Sequence, residues 1–535
     1  RSAKLVIARD VRYFSEHFAQ LVADMWTRLG GEAILFPGPR STPQLSFTVR
    51  DLGAAAGVMI TASHNAFTDN GLKAFFADGA QVLDPHASAI MHHFSKISVD
   101  EACELLADLK KTPRKRVTEK TKILSTAADD CYLEALCEIP ANPTIFSSLT
   151  APIIYTPLHG TAIVIVERLK ERFSLPLHIV ECQRKFDPHF STVHSPNPEN
   201  HEAFSIGLSV ADELHAEMAL ASDPDGDRLA IAHRTVAGPM RILTGNETAI
   251  FLAAYRLEAL RARGILNGAN GKNAAIIRSF VTTPLLDLLA AEYAVKLVQT
   301  PIGFKWIGAK LGDYERKACK QWQLQTGKGV KYHGLNWEKC QKLQLAYGCY
   351  LVLGAEESGG YSALDMTRDK DSHSALLMAC EAYASLRNCH CTIEHFFEEI
   401  YRKYGYHGER LHTVQCPGAE GARKIVTFSQ SLRLHPYAKF ANLAVLKHED
   451  YACDDLFDVD GKKIPPQNFQ VFTLEGGYRV AVRASGTEPK IKFYLFAREQ
   501  DKNLQAAKRR VAENFDRMEQ FVDDDFQKRA ANIEV

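Results

Sequence analysis

Four short stretches of this chain carry side chains that could act together on a phosphoryl group. Thr61-Ala62-Ser63-His64-Asn65 follows the apolar run Ala54 to Ile60 and precedes Asp69-Asn70-Gly71-Leu72-Lys73. A serine that leaves a buried strand and enters a polar turn is held rigidly and exposed at its tip. That suits a nucleophile or a phosphorylated group, although an exposed serine near a turn is most often an ordinary turn residue. The nucleophile elbow G-x-S-x-G is excluded, because Thr61 and Asn65 stand where glycines are required. No P-loop motif is present to cradle a phosphate.

The second stretch, Asp223-Pro224-Asp225-Gly226-Asp227-Arg228, sets carboxylates on alternate residues of a turn after the apolar run Met218 to Ala221. Hard oxygen ligands at this density bind a divalent cation such as Mg²⁺ and leave room for water or phosphate oxygens, the alternative being an acidic solvated turn. The calcium-loop alternative fails, since Gly226 is fourth in the loop rather than sixth and the twelfth position is Arg234, not glutamate. Glu356 and Ser358, in Gly354-Ala355-Glu356-Glu357-Ser358-Gly359-Gly360, could hydrogen-bond sugar hydroxyls or could simply cap a helix. Arg483-Ala484-Ser485-Gly486-Thr487-Glu488-Pro489-Lys490 offers a guanidinium, hydroxyls, a glycine and an ammonium, the donors that hold a phosphate dianion or merely an ordinary basic turn.

The elements that must position these loops alternate between strand and helix. Lys4 to Ala8, Ala33 to Phe36 and Ala54 to Ile60 read as strands, with helices over Phe14 to Leu29 and Pro43 to Leu52. After the helix Ala127 to Glu138 and the break at Pro140–Pro143, a second α/β unit opens with Pro152 to Tyr155. It continues through His178–Val180 and Met218 to Ala221 to Leu229–His233. A Gly/Asn-rich linker, Asn267 to Lys272, precedes a third unit that starts at Ala274 and delivers Glu356 from the strand Tyr350 to Leu353. Helices are expected over Ser374 to Arg387 and Thr392 to Tyr404; Gly312 to Tyr347 gives no readable pattern. From His407 the texture becomes α+β, and Gln500 to Lys528 reads as helix and tail. The expected fold is therefore α/β with mainly parallel sheets, a hint of a threefold repeat, and a smaller final domain. Its divisions are set at 1–148, 149–268, 269–406 and 407–535.

Composition is consistent with that. The 535 residues are too many for one ordinary core. Lys+Arg and Asp+Glu are 64 each, so the formal net charge is zero, which argues against a general nucleic-acid or membrane-surface binder. No apolar run approaches a membrane span, and the start lacks a cleavable signal. The twelve cysteines form no C-x-x-C, and Cys389-His390-Cys391 is too tight for a zinc knuckle. They read as free thiols in a reducing cytoplasm.

Taken together and in order, the four loops resemble those of the α-D-phosphohexomutase family, whose forms are T-A-S-H-N-P-x-x-x-N-G-x-K, D-x-D-G/A-D-R, G-E-x-S-G and R-x-S-G-T-E-P. Thr300–Trp306, Leu243–Glu247 and Arg368-Asp369-Lys370-Asp371 are further matches, and Thr156–Gly160 and Ser195–Glu199 look closer to the branch acting on glucose and pentose phosphates. The resemblance spans Val6 to Phe496. It implies a heart-shaped four-domain protein, three similar α/β domains with mixed sheets and a smaller C-terminal α+β domain. It also implies an intramolecular phosphotransferase that converts glucose 1-phosphate to glucose 6-phosphate. Phosphopentomutase, phosphomannomutase, a sugar 1,6-bisphosphate synthase and a non-catalytic relative are the alternatives.

By the same resemblance, Ser63 carries the phosphoryl group and, with Asp223, Asp225 and Asp227, holds one Mg²⁺; glucose 1,6-bisphosphate is intermediate and activator. His64, Lys73, Arg228 and Lys370 serve the chemistry. Gly303, Lys305, Glu356 and Ser358 bind the sugar, and Arg483, Ser485, Gly486, Thr487 and Lys490 hold its second phosphate. The partner is a phosphosugar, not nucleic acid or membrane, and the chain is expected to be a monomer or dimer. Three departures stand out. Ala66 replaces a proline, and Gly360 replaces a histidine of the mannose-type members, with Lys370 supplying a cation instead. The chain also begins after the family's G-T-[SA]-G-[LI]-R segment: either the sequence is truncated or the protein lacks that segment, and if it is absent the first sheet loses an edge partner and the site a cation.

Overall fold

The computed structural model describes residues 2–111, 120–484 and 489–531. Among these, the strands form four sheets. The first holds β1 (Lys4–Arg9), β2 (Glu32–Leu35), β3 (Ala56–Ile60), β4 (Leu72–Phe76) and β5 (Thr121–Ile123), in the order β4-β3-β1-β2-β5. The second holds β6 (Ile153–Thr156), β7 (Leu177–Ile179), β8 (Met218–Ser222), β9 (Leu229–Arg234) and β10 (Met240–Ile242), in the order β10-β9-β8-β6-β7. The third holds β11 (Ala274–Ser279), β12 (Lys296–Thr300), β13 (Tyr350–Glu356) and β14 (Gly360–Ser362), in the order β12-β11-β13-β14.

The hinted repeat is real. In each of these sheets the unit's first strand is flanked by its second and third, both parallel to it, and a fourth folds back antiparallel on the third. The sheets are thus mixed, as expected, with parallel pairings in the majority across the three and an antiparallel strand added to each. Ser63, Asp223–Arg228 and Glu356–Gly360 all occupy the same turn, from third strand to fourth. They lie at the carboxyl edge of the parallel strands, where open α/β sheets keep their ligands.

Local chemistry explains the elements. Strands β8 and β13 are buried throughout, which suits strands covered on both faces. The helix Ser15–Arg28 buries Ser15, Ala19, Ala23 and Thr27, one residue per turn on the face against β1 and β2. The helix Thr42–Asp51 starts at Ser41, whose hydroxyl accepts from the Gln44 amide. Thr244 and Glu247 form a full capping box for the helix Gly245–Ala262, and Asp371 caps Ser372–Asn388 through the His373 and Ser374 amides. The stretch with no readable pattern is helical, Phe304–Thr326 and then Trp337–Tyr347, the latter capped by Asn336.

The fourth sheet is antiparallel: β15 (Tyr406–Gln415), β16 (Lys439–Phe440), β17 (Leu443–Asp450), β18 (Phe469–Leu474), β19 (Tyr478–Ala484) and β20 (Lys490–Glu499), in the order β15-β20-β19-β18-β17-β16. Its core packs Phe428, Phe472 and Phe493 with Phe515 and Phe526 of the helix Leu504–Ala531. The chain divides into two compact units, Arg1–Thr282 with Leu289–Cys391, and Thr283–Leu288 with Thr392–Val535. All twelve cysteines are free thiols. No helix among the described residues is long and apolar enough to cross a membrane.

Candidate active site

Ser63 leaves β3 in the left-handed region, with φ at 52°. Its amide donates to Thr61 Oγ1 at 2.8 Å, and Thr61 in turn donates to the fully buried Asp10 at 2.7 Å. The backbone conformation is therefore fixed from beneath. Ser63 Oγ stands 3.3 Å from His64 Nδ1 and 3.3 Å from Asp223 Oδ2. Burial first, and then Arg228, push His64 down to about 3, so its imidazole is neutral and available as a hydrogen-bond partner.

Asp223, Asp225 and Asp227 are fully buried, and one oxygen of each lies within 4.8 Å of the others. Gly226 makes the turn possible, with φ at 68°; a β-carbon there would come 2.9 Å from the Ser41 side chain. The turn rests on Thr156–Gly160, because a β-carbon on Gly160 would lie 2.5 Å from Pro224 Cα, and the Thr161 amide donates to the Pro224 carbonyl at 2.8 Å.

Cations surround the carboxylates. Lys73 Nζ donates to Asp225 Oδ2 at 2.7 Å and to Asp227 Oδ2 at 3.0 Å; Lys370 Nζ sits 2.9 Å from Asp227 Oδ2. Arg228 Nε is 3.8 Å from Asp223 and 4.0 Å from Asp227. Burial alone would lower Lys73, but Asp225 and Asp227 outweigh it and hold the ammonium charged. Burial and the neighbouring Asp227 and Asp225 push Asp223 up. Burial also works against Asp227, yet Lys370, Lys73 and Arg228 prevail and hold it ionised.

Asp225 Oδ1 and Asp227 Oδ1 are buried and accept no hydrogen bond. Unpaired buried carboxylate oxygens are costly unless a ligand meets them. Here the lysines occupy the Oδ2 atoms, which leaves Oδ1 on Asp225 and on Asp227 for a divalent cation. The donor set fits a hard metal ion.

Glu356 ends β13 and accepts from the Gly303 amide at 2.9 Å, which brings the turn before the helix Phe304–Thr326, and with it Lys305, to this side of the sheet. The stretch after Glu356 is a tight strand-to-strand turn carrying the half-buried Ser358, not a helix start. It docks on Gly245, where a β-carbon would meet the Glu357 carbonyl at 1.9 Å. It is tied to the carboxylate turn by the Leu229 amide donating to the Gly359 carbonyl at 2.9 Å. Gly360 has a direct counterpart in Lys370, because a β-carbon at 360 would lie 2.5 Å from Lys370 Cδ. The lysine fills the space a larger residue would need.

Burial pushes Glu356 up to about 7, against the pull of Lys370. The folded state thus keeps a proton that the unfolded chain releases near its ordinary value of 4.5. The associated stability is fully present below that value and lost as pH rises through about 7. Glu356→Gln removes the charge and keeps the acceptor for Gly303. We expect the variant to match the wild type at pH 4.5 and exceed it at pH 8, with a ceiling of about 3 kcal/mol. Urea midpoints at both pH values check this, and an equal difference at both would refute it.

Arg483 and Lys490 lie in the second unit, half-buried at the end of β19 and the start of β20. Ser485, Gly486 and Thr487 lie outside the described residues. Sequence reading missed Asp10, Arg12 and Thr42, whose hydroxyl donates to Asp225 Oδ2 at 2.8 Å. The available signal was a charged pair, Asp10-Val11-Arg12, directly after a buried strand.

Fold and site define an α/β protein that sets a serine hydroxyl beside a carboxylate cluster able to take a metal ion. Family models for phosphoglucomutase/phosphomannomutase α/β/α domains I, II and III match residues 1–101, 130–238 and 244–320, and the model of the C-terminal domain matches 438–514. The chain belongs to the phosphoglucomutase/phosphomannomutase family. A phosphoglucomutase of Staphylococcus aureus (strain MRSA252) is 29% identical over 503 residues, covering 92% of this chain and 81% of its own length. One of Staphylococcus haemolyticus is 29% identical over 498 residues, covering 92% and 82%. Among solved structures, the exocytosis-sensitive phosphoprotein pp63/parafusin, a phosphoglucomutase from Paramecium in its open form, aligns with a TM-score of 0.65 at 19% identity, over 98% of this chain and 88% of its own. A family member from Burkholderia thailandensis aligns at 0.57 and 18%, over 96% and 89%.

Proposed function

We propose that this chain is a phosphoglucomutase, interconverting glucose 1-phosphate and glucose 6-phosphate through a phosphoserine at Ser63 and glucose 1,6-bisphosphate. The observation that carries the reading is the Ser63 hydroxyl 3.3 Å from a buried carboxylate cluster in which Asp225 Oδ1 and Asp227 Oδ1 accept no hydrogen bond. Asp223, Asp225, Asp227 and a phosphoserine oxygen would hold Mg²⁺, which when bound supplies positive charge against the phosphoryl oxygens. The phosphorus–Oγ bond of Ser63 breaks as a sugar hydroxyl oxygen bonds to phosphorus. The bisphosphate then turns over and returns its other phosphate to Ser63. Positioning and charge neutralisation carry most of the rate.

Lys73, held protonated by Asp225 and Asp227, gives its proton to the departing Ser63 oxygen and takes up the one that the attacking sugar hydroxyl releases; on the return transfer it protonates the departing sugar oxygen and takes up the Ser63 hydroxyl proton. Arg228 and Lys370 balance the charge of the phosphoryl group in flight. His64 stays neutral and hydrogen-bonds the serine. Glu356 and Ser358, with Gly303 and Lys305, receive the sugar; Arg483, Ser485, Gly486, Thr487 and Lys490 receive the non-reacting phosphate. The domain divisions at 149, 269 and 407 accompany this reading, and the free thiols support a reducing compartment, the cytoplasm. Gly360 beside Lys370 supports glucose over mannose.

The test is turnover of glucose 1-phosphate with Mg²⁺ and a trace of glucose 1,6-bisphosphate, beside mannose 1-phosphate and ribose 1-phosphate. Glucose is expected to win. Preference for another sugar corrects the substrate, and no turnover of any with no phosphate on Ser63 defeats the mutase reading.

A further inference from the structure

We infer that Arg12 is the positioning residue that sets the Ser63 loop for phosphoryl transfer, a proposal that rests on the mutase reading for its catalytic consequence. Arg12 follows β1, and its side chain is fully buried with that of Asp10. A guanidinium has five N–H donors in a fixed plane. Here each has an acceptor. Nε donates to Asp10 Oδ2 at 3.1 Å. One terminal nitrogen donates to the carbonyls of Ala66 at 2.6 Å and Asp69 at 2.9 Å, and the other to those of Ser63 and Asn65, both at 2.7 Å. The guanidinium also lies over the Phe190 ring, 5.1 Å from its centre, so it is packed as well as bonded.

Four inward carbonyls of one loop therefore converge on one side chain. Asp10 completes the template. It accepts from the Arg12 amide at 3.0 Å and the Ser15 hydroxyl at 2.9 Å, and through Thr61 it reaches the Ser63 amide. Ser63 is thus held on both sides, its amide through Thr61 and its carbonyl by Arg12, in the left-handed conformation that aims Oγ at Asp223. The family pattern has a proline at position 66, where this chain has alanine. The bond from Arg12 to the Ala66 carbonyl supplies the restraint that a ring would give.

A lysine cannot replace this side chain. Its ammonium offers three donors from a single point and no planar fork. Misplacement of a reacting group by about 1 Å costs roughly a hundredfold in rate. Arg12→Lys is accordingly expected to lower kcat by about a hundredfold, with KM changed little because other loops hold the sugar. Amide hydrogen exchange in residues 61–71 should quicken in this variant while the rest of the first sheet keeps its protection. Arg12→Ala should lose turnover similarly and regain a large part of it in millimolar guanidinium, which does nothing for the wild type.

A lysine variant within threefold of wild-type kcat and with unchanged exchange over 61–71 overturns the proposal. So does a folded alanine variant that guanidinium does not restore; should alanine fail to fold, the lysine variant decides. If the unaltered chain turns over no phosphosugar, the mutase reading fails by itself. The exchange measurement then still decides whether Arg12 sets the loop.

Discussion

Ser63→Ala is expected to abolish turnover while leaving the fold intact. The loop that carries Ser63 is anchored by groups that this substitution does not touch: its amide on Thr61, Thr61 on Asp10, and its carbonyl on Arg12. What alanine removes is a hydroxyl with two long contacts, 3.3 Å to His64 and 3.3 Å to Asp223. Bonds of that length contribute at most about 1 kcal/mol each. The chemical loss is of another order. Alanine leaves no oxygen at position 63 to carry a phosphoryl group, and deleting a covalent nucleophile while its surroundings persist lowers kcat by about 10⁶. Intact mass should show phosphate on the wild type and none on the variant, with melting temperatures within a few degrees of each other. A variant that still turns over would remove Ser63 from the mechanism, whatever its stability.

The loops were legible in the sequence for a physical reason. Buried strands that end in Ser63, Asp223 or Glu356 break sharply from apolar to charged, and a fold tolerates such a break only where polar groups are answered by one another or by a ligand. The repeat was legible only as alternation, because strand polarity has no sequence signature. The fourth, antiparallel strand of each unit, which makes the sheets mixed, was legible only through the family resemblance and not in the alternation itself.

Arg12 stayed hidden because four of its five acceptors are backbone carbonyls more than fifty residues away, and carbonyls look alike in a sequence. The helix Phe304–Thr326 was unreadable because its buried face carries Gly308, Lys310, Gly312 and Tyr314 among the apolar residues. Gly308 is small because a β-carbon would strike the Arg368 carbonyl at 2.2 Å. Close packing against the segment that carries Lys370 thus replaced the apolar stripe on which the helical pattern depends. The capping reading of Glu356 failed for a related reason, since the turn closes onto Gly245 rather than opening a helix.

The carboxylate cluster makes the second large prediction, in which two neighbouring aspartates should behave oppositely without metal and alike with it. Asp227 faces ammonium groups, Lys73 at 3.0 Å and Lys370 at 2.9 Å. Asp227→Asn leaves those two buried cations facing each other with less compensation. Because Lys73 keeps Asp225, the expected loss is about 2–3 kcal/mol, below the usual cost of breaking a buried pair. Asp223 instead accepts from two backbone amides, those of Asp227 and Arg228 at 3.0 Å, and is crowded by two like charges. Asp223→Asn keeps an oxygen for the amides and relieves the repulsion, so the metal-free protein should be as stable as the wild type or more so.

Mg²⁺ reverses the comparison. A ligand that binds only the folded state raises the melting temperature by mass action. Each variant lacks one charged oxygen of the set and should lose that rise, along with turnover. The expected drop in metal affinity exceeds the roughly 10–100-fold typical of a lost outer-shell partner. Melting curves of the wild type and both variants, in chelator and in Mg²⁺, are sufficient. Opposite signs in chelator and a shared loss of the Mg²⁺ response follow if the lysines and the metal ion use different oxygens of one cluster. If both variants melt lower in chelator and keep the response, the cluster is a buried ion-pair network, and the metal ion must bind elsewhere.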